Sequence, residues 1–316
     1  MIRQCMPFLL FSIFLSSPTA ADKNSAFQII CDIPYAENDN SRQTLDLFIP
    51  NTRRNQNNRT LPLVVWIHGG GWIQGDKNSG NHPARIPHLV KTEKYIGASI
   101  NYRLSGEAKW PSQIHDCKAA IRWLRGNAEK YGINQEKIAV WGASAGGHLA
   151  SMLGVSHNNK KLEGKLGSFK FVSSKVQAVI NYYGPSLFLQ MDDYPSKIVH
   201  SSPNSPESKL LGIPLRKDTK LANEASPYSY VNSDMPPFLH FHGTDDPLVP
   251  YNQSLILHQK LLSRGNKSSL ITVQNAFHSM PTHFTRRWVI PFLDYYFYDT
   301  GSSPVCQTVI ADRKKI

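Results

Sequence analysis

The chain has 316 residues, of which 41% are hydrophobic and 18% are charged. This balance excludes a generally disordered chain, and the length suits one large domain or two small ones. The formal net charge of +12 permits attraction to anionic polymers. However, the basic residues are scattered and no nucleic-acid-binding motif occurs, so a solvated basic surface is the better interpretation. We therefore expect no nucleic-acid partner.

The N-terminal segment has the pattern of a secretory signal peptide. Arg3 precedes a short apolar run over 7–15, and small residues follow up to Ala21. This order predicts cleavage after Ala21. The run is too short to span a bilayer, and no later run reaches spanning length. We expect a leader at 1–21 and, over 22–316, a single secreted or periplasmic domain without a membrane span.

Strands and helices alternate along most of the remaining chain. Apolar runs and period-two alternation predict strands at 44–49, 63–67, 95–102, 138–141, 176–182, 237–241 and 270–273. Helical periodicity and end signals predict helices at 111–131, after Ser144, at 251–264 and from about 281. The segment through about residue 30 is expected to be irregular. This alternation predicts an α/β fold with a mostly parallel central sheet and helices on both faces.

One stretch breaks the alternation. Residues 186–233 are rich in proline and serine and are too long for an ordinary connection. We expect this stretch to be a cap or a substrate-binding insertion.

A G-x-S-x-G motif at 142–146 lies between a predicted strand and a predicted helix. A serine on such a sharp turn exposes its hydroxyl, and small neighbours let the turn pass close to adjacent backbone. The N-terminus of the following helix also favours developing negative charge. In this context the motif predicts a nucleophilic Ser144 rather than a plain Gly-Ser turn.

A second motif, His-Gly-Gly-Gly-Trp at 68–72, follows the predicted strand at 63–67. Glycines let backbone N–H groups approach a substrate oxygen without interference from a Cβ. Acyl transfer needs such donors, because the carbonyl oxygen becomes an oxyanion. The alternative is a plain glycine turn, but the order of strand, glycines and downstream serine motif favours an oxyanion hole.

A serine nucleophile needs a base to take its proton, and the base needs an orienting acid. In one large hydrolase class these follow the serine in the order acid, then histidine. His278 follows the last predicted strand. Asp245 and Asp246 both follow the strand at 237–241, and their positions alone leave the choice of acid between them open.

Other histidines and aromatic residues have more ordinary interpretations. His240 and His242 are expected to be structural, His148 to pack or bond locally, and His283 to lie at the surface. Aromatic residues near strand ends belong to the core more often than to a pocket, which applies to Trp72, Tyr102, Trp110 and Tyr182.

Three cysteines remain after the leader, so at most one disulfide can form. Cys117 lies on the apolar face of a predicted helix and is expected to be buried. A bridge between Cys31 and Cys306 is possible in an oxidising compartment, and free thiols are an equal alternative. No Cys/His spacing fits a structural metal site, and we expect neither a metal nor a cofactor.

Taken together, these motifs resemble the α/β-hydrolase superfamily over roughly residues 40–298. The segments that carry the resemblance are 68–77, 99–125, 141–150, 226–250 and 276–280. Within the superfamily the chain is similar to secreted carboxylesterases that share features with hormone-sensitive-lipase-type enzymes and with bacterial feruloyl and acetyl-xylan esterases.

The resemblance implies a role for six residues. Ser144 would be the nucleophile, Asp246 the acid and His278 the base. The backbone donors of the oxyanion hole would be Gly70, Gly71 and Ala145. One departure is that the base lies in Phe277-His278-Ser279, where related enzymes often have Gly-His-Gly.

The implied function is a serine esterase that hydrolyses carboxylic esters, small or attached to polysaccharides, through an acyl-enzyme. Acetyl and feruloyl groups are candidate acyl parts. An amidase or formamidase with the same triad remains an alternative, since the sequence does not decide the leaving group. An exopeptidase is less favoured, because such enzymes usually carry a large extra domain. A non-catalytic binding protein on this fold is also less favoured, since such proteins usually lack the nucleophile or the base. The oligomeric state is not predicted.

Overall fold

A computed structural model describes residues 26–51, 60–280 and 284–310 of the chain. The predicted leader at 1–21 and His283 lie outside the described residues. The described chain forms nine strands: β1 (Phe27–Pro34), β2 (Thr44–Pro50), β3 (Leu61–Ile67), β4 (Ile96–Ile100), β5 (Ile133–Ala143), β6 (Ala178–Tyr182), β7 (Phe238–Gly243), β8 (Ser268–Gln274) and β9 (Gln307–Ile310).

The strands belong to one sheet in the order β1-β2-β4-β3-β5-β6-β7-β8-β9. β2 pairs antiparallel with both β1 and β4, and all other described pairs are parallel. The predicted α/β fold with a mostly parallel sheet is confirmed.

Helices connect the strands in the described chain. They are α1 (Ile86–Val90), α2 (Ser112–Gly126), α3 (Ala128–Tyr131), α4 (Ala145–Val155), α5 (Lys160–Glu163), α6 (Pro206–Leu211), α7 (Thr219–Glu224), α8 (Asn252–Ser263) and α9 (Ile290–Tyr298). Short 3-10 turns lie at Ser41–Gln43, Lys77–Asn81, Phe188–Asp193 and Pro227–Tyr230, and a π turn at Thr285–Val289 precedes α9.

The sheet separates two hydrophobic clusters. Every residue of β3 is buried, and alternate residues point to opposite faces. Val65 belongs to one cluster and its neighbours Val64 and Trp66 to the other. Burial on both faces explains why β3 is a continuous apolar run rather than an alternating one.

One expectation at the N-terminal end of the chain was wrong, and the open question of a Cys31–Cys306 bridge is answered. The segment through residue 30 is not irregular, because Phe27 pairs with Pro50 and starts the edge strand β1. Most of β1 is only partly buried, so it lacks the apolar alternation that would have revealed it. The described cysteines are all free, with Cys117 buried as expected. Cys31 on β1 and Cys306 beside β9 lie at opposite edges of the sheet, far beyond the ~7 Å that a disulfide allows.

The stretch at 186–233 lies between β6 and β7 and contains α6 and α7. It packs onto the core rather than standing apart, through buried Phe188, Leu210, Leu215 and Ala222.

The carboxyl ends of the parallel strands meet at one edge, where open α/β sheets bind ligands. The predicted site residues follow these strands in turn: 68–72 after β3, Ser144 after β5, Asp246 after β7 and His278 after β8.

Candidate active site

Ser144 occupies a strained turn between β5 and α4. Its backbone φ is 56° and its ψ is −122°, a region that costs a non-glycine residue about 1–3 kcal/mol. The turn is held by the Ser144 N–H, which donates to the Tyr182 carbonyl at 2.8 Å. A Cβ on Gly146 would lie 2.1 Å from the Ile67 carbonyl oxygen. Glycine at 146 therefore lets α4 begin directly beneath the end of β3.

The glycine loop after β3 forms a tight turn beside this serine. Gly70 has a φ of +112°, and its carbonyl accepts from the N–H groups of Ile73 at 3.0 Å and Gln74 at 3.1 Å. A Cβ at position 70 would lie 2.1 Å from the Gln74 carbonyl oxygen. Within the described residues, the N–H groups of Gly70, Gly71 and Ala145 donate no hydrogen bond, and all three residues line the same cavity. They are therefore available to a developing oxyanion.

His68 stabilises the glycine loop through hydrogen bonds and ring stacking. Burial lowers its pKa to about 4, so the ring is neutral near pH 7. Its Nδ1 donates to the Gly69 carbonyl at 2.8 Å, and its Nε2 accepts from Arg42 Nη2 at 3.1 Å. The His68 ring also stacks on the Tyr102 ring, and the two ring centroids are 4.2 Å apart. No sequence motif pointed to Arg42, because its contact with the loop arises only through the fold.

Asp246 and His278 meet directly. His278 Nδ1 lies 2.7 Å from Asp246 Oδ2. The other oxygen, Oδ1, accepts from the N–H groups of Leu248 at 2.9 Å and Val249 at 3.0 Å. Burial by itself would raise the pKa of Asp246, but hydrogen bonds from His242 and His278 outweigh it and hold that pKa well below its usual value. The acid is therefore ionised and can fix the proton of His278 on Nδ1.

The competing carboxylate points elsewhere. Asp245 is exposed, and its Oδ1 accepts from the Thr244 hydroxyl at 2.9 Å. Its backbone N–H donates to the Ala276 carbonyl at 3.1 Å, which ties the loop after β7 to the loop after β8. Of the two aspartates, Asp246 is the one that contacts His278.

The turn around His278 contains no glycine at positions 277 and 279. The Ser279 N–H donates to the Phe277 carbonyl at 2.8 Å, which makes a tight turn around His278. The Phe-His-Ser sequence thus adopts a turn that still brings the imidazole to Asp246.

His242 is fully buried beside the acid. Its Nε2 lies 2.9 Å from the Val249 carbonyl and 3.3 Å from Asp246 Oδ2, and its Nδ1 lies 2.8 Å from Ser254 Oγ. Sequence reasoning expected a structural residue here but did not anticipate the contact with Asp246. His240 on the same strand is also buried and lies outside the cavity wall.

His148 joins three parts of the molecule. Trp72 Nε1 donates to His148 Nδ1 at 3.3 Å, and His148 Nε2 donates to the Ala225 carbonyl at 2.6 Å. Its ring also lies 5.1 Å from that of Phe188. Burial lowers the pKa of His148 to about 4, so the ring is neutral. The residue thus links α4 to the glycine loop and to the stretch at 186–233, so its contacts reach beyond the local packing or bonding that the sequence predicted.

One cavity of about 740 Å³ contains Ser144, His278 and the glycine loop. Tyr183 lies beside the base, with its ring centroid 4.4 Å from that of His278. Of the four aromatic residues weighed from the sequence, Trp72 lines the cavity and the other three are buried elsewhere. The sequence did not single out several wall residues, which include Arg85, Tyr183, His200 and Glu207.

Two features are absent from the described residues. These residues contain no group of three or more His, Cys, Asp or Glu side chains arranged to hold a metal ion. They also contain no helix with the length and apolar character needed to cross a bilayer.

Comparison with protein families matches the BD-FAE model over residues 45–261, which is more than half of the chain. The matched span includes the glycine loop, Ser144 and Asp246, whereas His278 lies beyond it.

Curated relatives include a probable carboxylic ester hydrolase, LipM, of Mycobacterium tuberculosis. It is 30% identical over 259 residues, which cover 80% of this chain and 53% of LipM. Esterase LipQ of the same organism is 31% identical over 240 residues, covering 72% of this chain and 52% of LipQ. This chain spans about half the length of these curated relatives.

A solved structure described as a truncated form of a carbohydrate esterase from gut microbiota has a TM-score of 0.75 at 28% identity. The match covers 87% of this chain and 97% of that one. This likeness and the BD-FAE match confirm the predicted family resemblance and the α/β-hydrolase fold.

Proposed function

The chain belongs to the BD-FAE family, and from this premise we propose that it is a carboxylic ester hydrolase with Ser144 as its nucleophile. The observation that carries the proposal is the 2.7 Å contact between Asp246 and His278. It lies beside a cavity that also holds Ser144 and the N–H groups of Gly70 and Gly71. A nucleophile, a base oriented by an ionised acid and oxyanion donors are the groups that acyl transfer requires.

In the acylation step, His278 keeps its proton on Nδ1 because Asp246 accepts it, which leaves the Nε2 lone pair free. Nε2 takes the hydroxyl proton of Ser144 as Oγ attacks the carbonyl carbon of the ester. The carbonyl oxygen becomes an oxyanion and accepts hydrogen bonds from the N–H groups at 70, 71 and 145. The imidazolium then gives its proton to the leaving alcohol as the carbon–oxygen bond breaks.

Deacylation repeats these steps with water as the nucleophile. His278 takes a proton from the water, which attacks the acyl carbon, and then returns the proton to Ser144 Oγ. Asp246 stabilises the charged imidazolium in both halves of the reaction. Each oxyanion donor contributes about 3–4 kcal/mol to lowering the barrier.

Esters attached to hydroxylated carbohydrates are the proposed substrates. The solved relative described as a carbohydrate esterase shares 28% identity with this chain over 87% of its length, which supports this class. We also propose that the leader pattern at 1–21 directs secretion or periplasmic export, where such esters are accessible.

The test compares purified wild-type protein with Ser144→Ala on 4-nitrophenyl acetate, acetylated xylan and methyl ferulate. Wild type should hydrolyse the aryl ester and at least one of the other two, and Ser144→Ala should lose about 10⁴-fold or more in kcat. The matched control is Ser263→Ala, because Ser263 is exposed on α8 and remote from the cavity wall. Wild-type rates in the Ser144→Ala protein would refute the proposal.

A further inference from the structure

Two buried, titratable side chains of the stretch at 186–233 face the catalytic cavity. His200 is 1% exposed and Glu207 is 2% exposed. Both line the cavity that holds Ser144. The proposed mechanism uses neither of them.

The hydrogen bonds around His200 determine which ring nitrogen carries the proton. Its Nε2 lies 3.2 Å from Ser196 Oγ. The Ser196 hydroxyl donates its own proton to the carbonyls of Pro247 at 3.2 Å and Leu248 at 3.3 Å. Ser196 Oγ must therefore accept from the imidazole, which places a proton on Nε2. The other ring nitrogen, Nδ1, has no hydrogen-bond partner in the described chain.

Glu207 lies next to a residue that contacts the glycine loop. It lies in the first turn of α6, which Ser205 caps by accepting from the Ser208 N–H at 3.0 Å. The preceding residue, Pro206, packs on the glycine loop, since a Cβ on Gly71 would lie 3.3 Å from Pro206 Cβ. Glu207 thus lies in the cavity wall, directly after a residue that contacts the glycine loop.

The side chains of His200 and Glu207 are in contact, but no hydrogen bond joins them. His200 Nδ1 lies 3.0 Å from Glu207 Oε2, but the angles are not those of a hydrogen bond. Neither atom has a hydrogen-bond partner elsewhere in the described chain. Leaving buried polar atoms unpaired is costly. A substrate hydroxyl at this part of the cavity wall would supply the missing partner.

We infer that His200 and Glu207 form a subsite that accepts hydrogen bonds from hydroxyl groups of the substrate. The inference rests on the proposed function and narrows its substrate class to hydroxylated esters. A sugar hydroxyl on the alcohol part and a phenol on the acyl part supply the same chemistry. Aryl acetates without hydroxyl groups cannot use the subsite.

The experiment measures a specificity ratio, namely kcat/KM for an O-acetylated xylooligosaccharide divided by kcat/KM for 4-nitrophenyl acetate. In Glu207→Gln and His200→Gln the ratio should fall about 10- to 100-fold, since each loses a hydrogen bond involving a charged or buried acceptor. The matched control is Glu224→Gln on α7 of the same stretch. Glu224 pairs with Lys161 at 2.7 Å outside the cavity wall, so its ratio should stay at the wild-type value.

Methyl ferulate in place of the xylooligosaccharide identifies the source of the hydroxyl. If the specificity ratio falls only for the sugar ester, the subsite binds the alcohol part of the substrate. If it falls only for methyl ferulate, the subsite binds the acyl part. A ratio unchanged for both substrates in folded Glu207→Gln and His200→Gln proteins would overturn the inference.

A binding measurement separates this inference from the proposed function. Xylobiose titrated calorimetrically into the Ser144→Ala protein should bind, and should bind at least about tenfold more weakly when Glu207→Gln is added. Xylobiose and ferulic acid both failing to bind, while wild-type protein still cleaves 4-nitrophenyl acetate, would refute the subsite and leave the esterase proposal standing. Conversely, binding without any esterase activity would refute the proposed function alone.

Discussion

The proposed catalytic groups and the proposed hydroxyl subsite face one cavity but come from two differently built regions. The loops after β3, β5, β7 and β8 are held by close backbone contacts, such as the turn at Gly70 with its φ of +112°. The stretch at 186–233 instead presents His200 and Glu207 from an irregular connection and a helix of six residues. In this account the reaction chemistry depends on backbone geometry, whereas specificity depends on side chains in a connecting segment, a part of a fold that generally tolerates sequence change.

The largest effect is expected within the strand-end loops, where two neighbouring aspartates differ in role. Asp246→Asn should lower kcat on 4-nitrophenyl acetate by about 10⁴-fold, because an amide no longer holds the proton of His278 on Nδ1. Asp245→Asn is the matched control and should stay within about twofold of wild type, since that side chain is exposed. A larger loss in Asp245→Asn than in Asp246→Asn would show that the acid has been misassigned.

A second variant tests whether backbone geometry carries the chemistry. Gly70→Ala should lower kcat by about 10²–10³-fold, the cost of one misplaced oxyanion donor. It should also lower the urea midpoint, because the new Cβ would lie 2.1 Å from the Gln74 carbonyl oxygen. Gly106→Ala is the control, since a Cβ there meets nothing within 4 Å. Equal behaviour of the two variants would contradict the assignment of the loop.

His148 gives a smaller, pH-dependent effect at the junction of the two regions. Its folded pKa of about 4 is below the unfolded value of about 6.5, so acidification protonates the unfolded chain first and lowers stability. His148→Gln should lower the free energy of unfolding at pH 7.5 by about 1–3 kcal/mol through lost hydrogen bonds. On acidification from pH 7.5 to pH 5, however, the free energy of unfolding of His148→Gln should fall by about 2 kcal/mol less than that of the wild type.

Urea unfolding at the two pH values measures this effect. The control is His82→Gln, which alters an exposed histidine and should keep the wild-type pH dependence. A His148→Gln protein with the wild-type pH dependence would mean that the buried ring is not neutral.

Much of the sheet could be predicted because its strands are buried on both faces. β3 and the second half of β5, residues 138–143, are continuous apolar runs, and glycines mark the turns beside them. Edge strands give a weaker signal: β1 and β9 are half exposed, and neither was predicted.

In the candidate site, too, some residues could be predicted from the sequence and others could not. Ser144 and the glycine loop are evident in the sequence because their backbone conformations restrict the residue types allowed there. The choice between Asp245 and Asp246 needed the fold, since it depends on which side chain turns inward. His200 and Glu207 carry no motif, because their meeting depends on how the stretch at 186–233 packs over the cavity.

The central claim is that Ser144 is the nucleophile activated by His278 and Asp246. Reaction of the full chain with a fluorophosphonate, followed by peptide mapping by mass spectrometry, tests it directly. We predict one adduct, on Ser144, formed by wild-type protein and at least about 10³-fold more slowly by Asp246→Asn. An adduct on a different residue, or no adduct on an enzyme that still hydrolyses 4-nitrophenyl acetate, would contradict the claim.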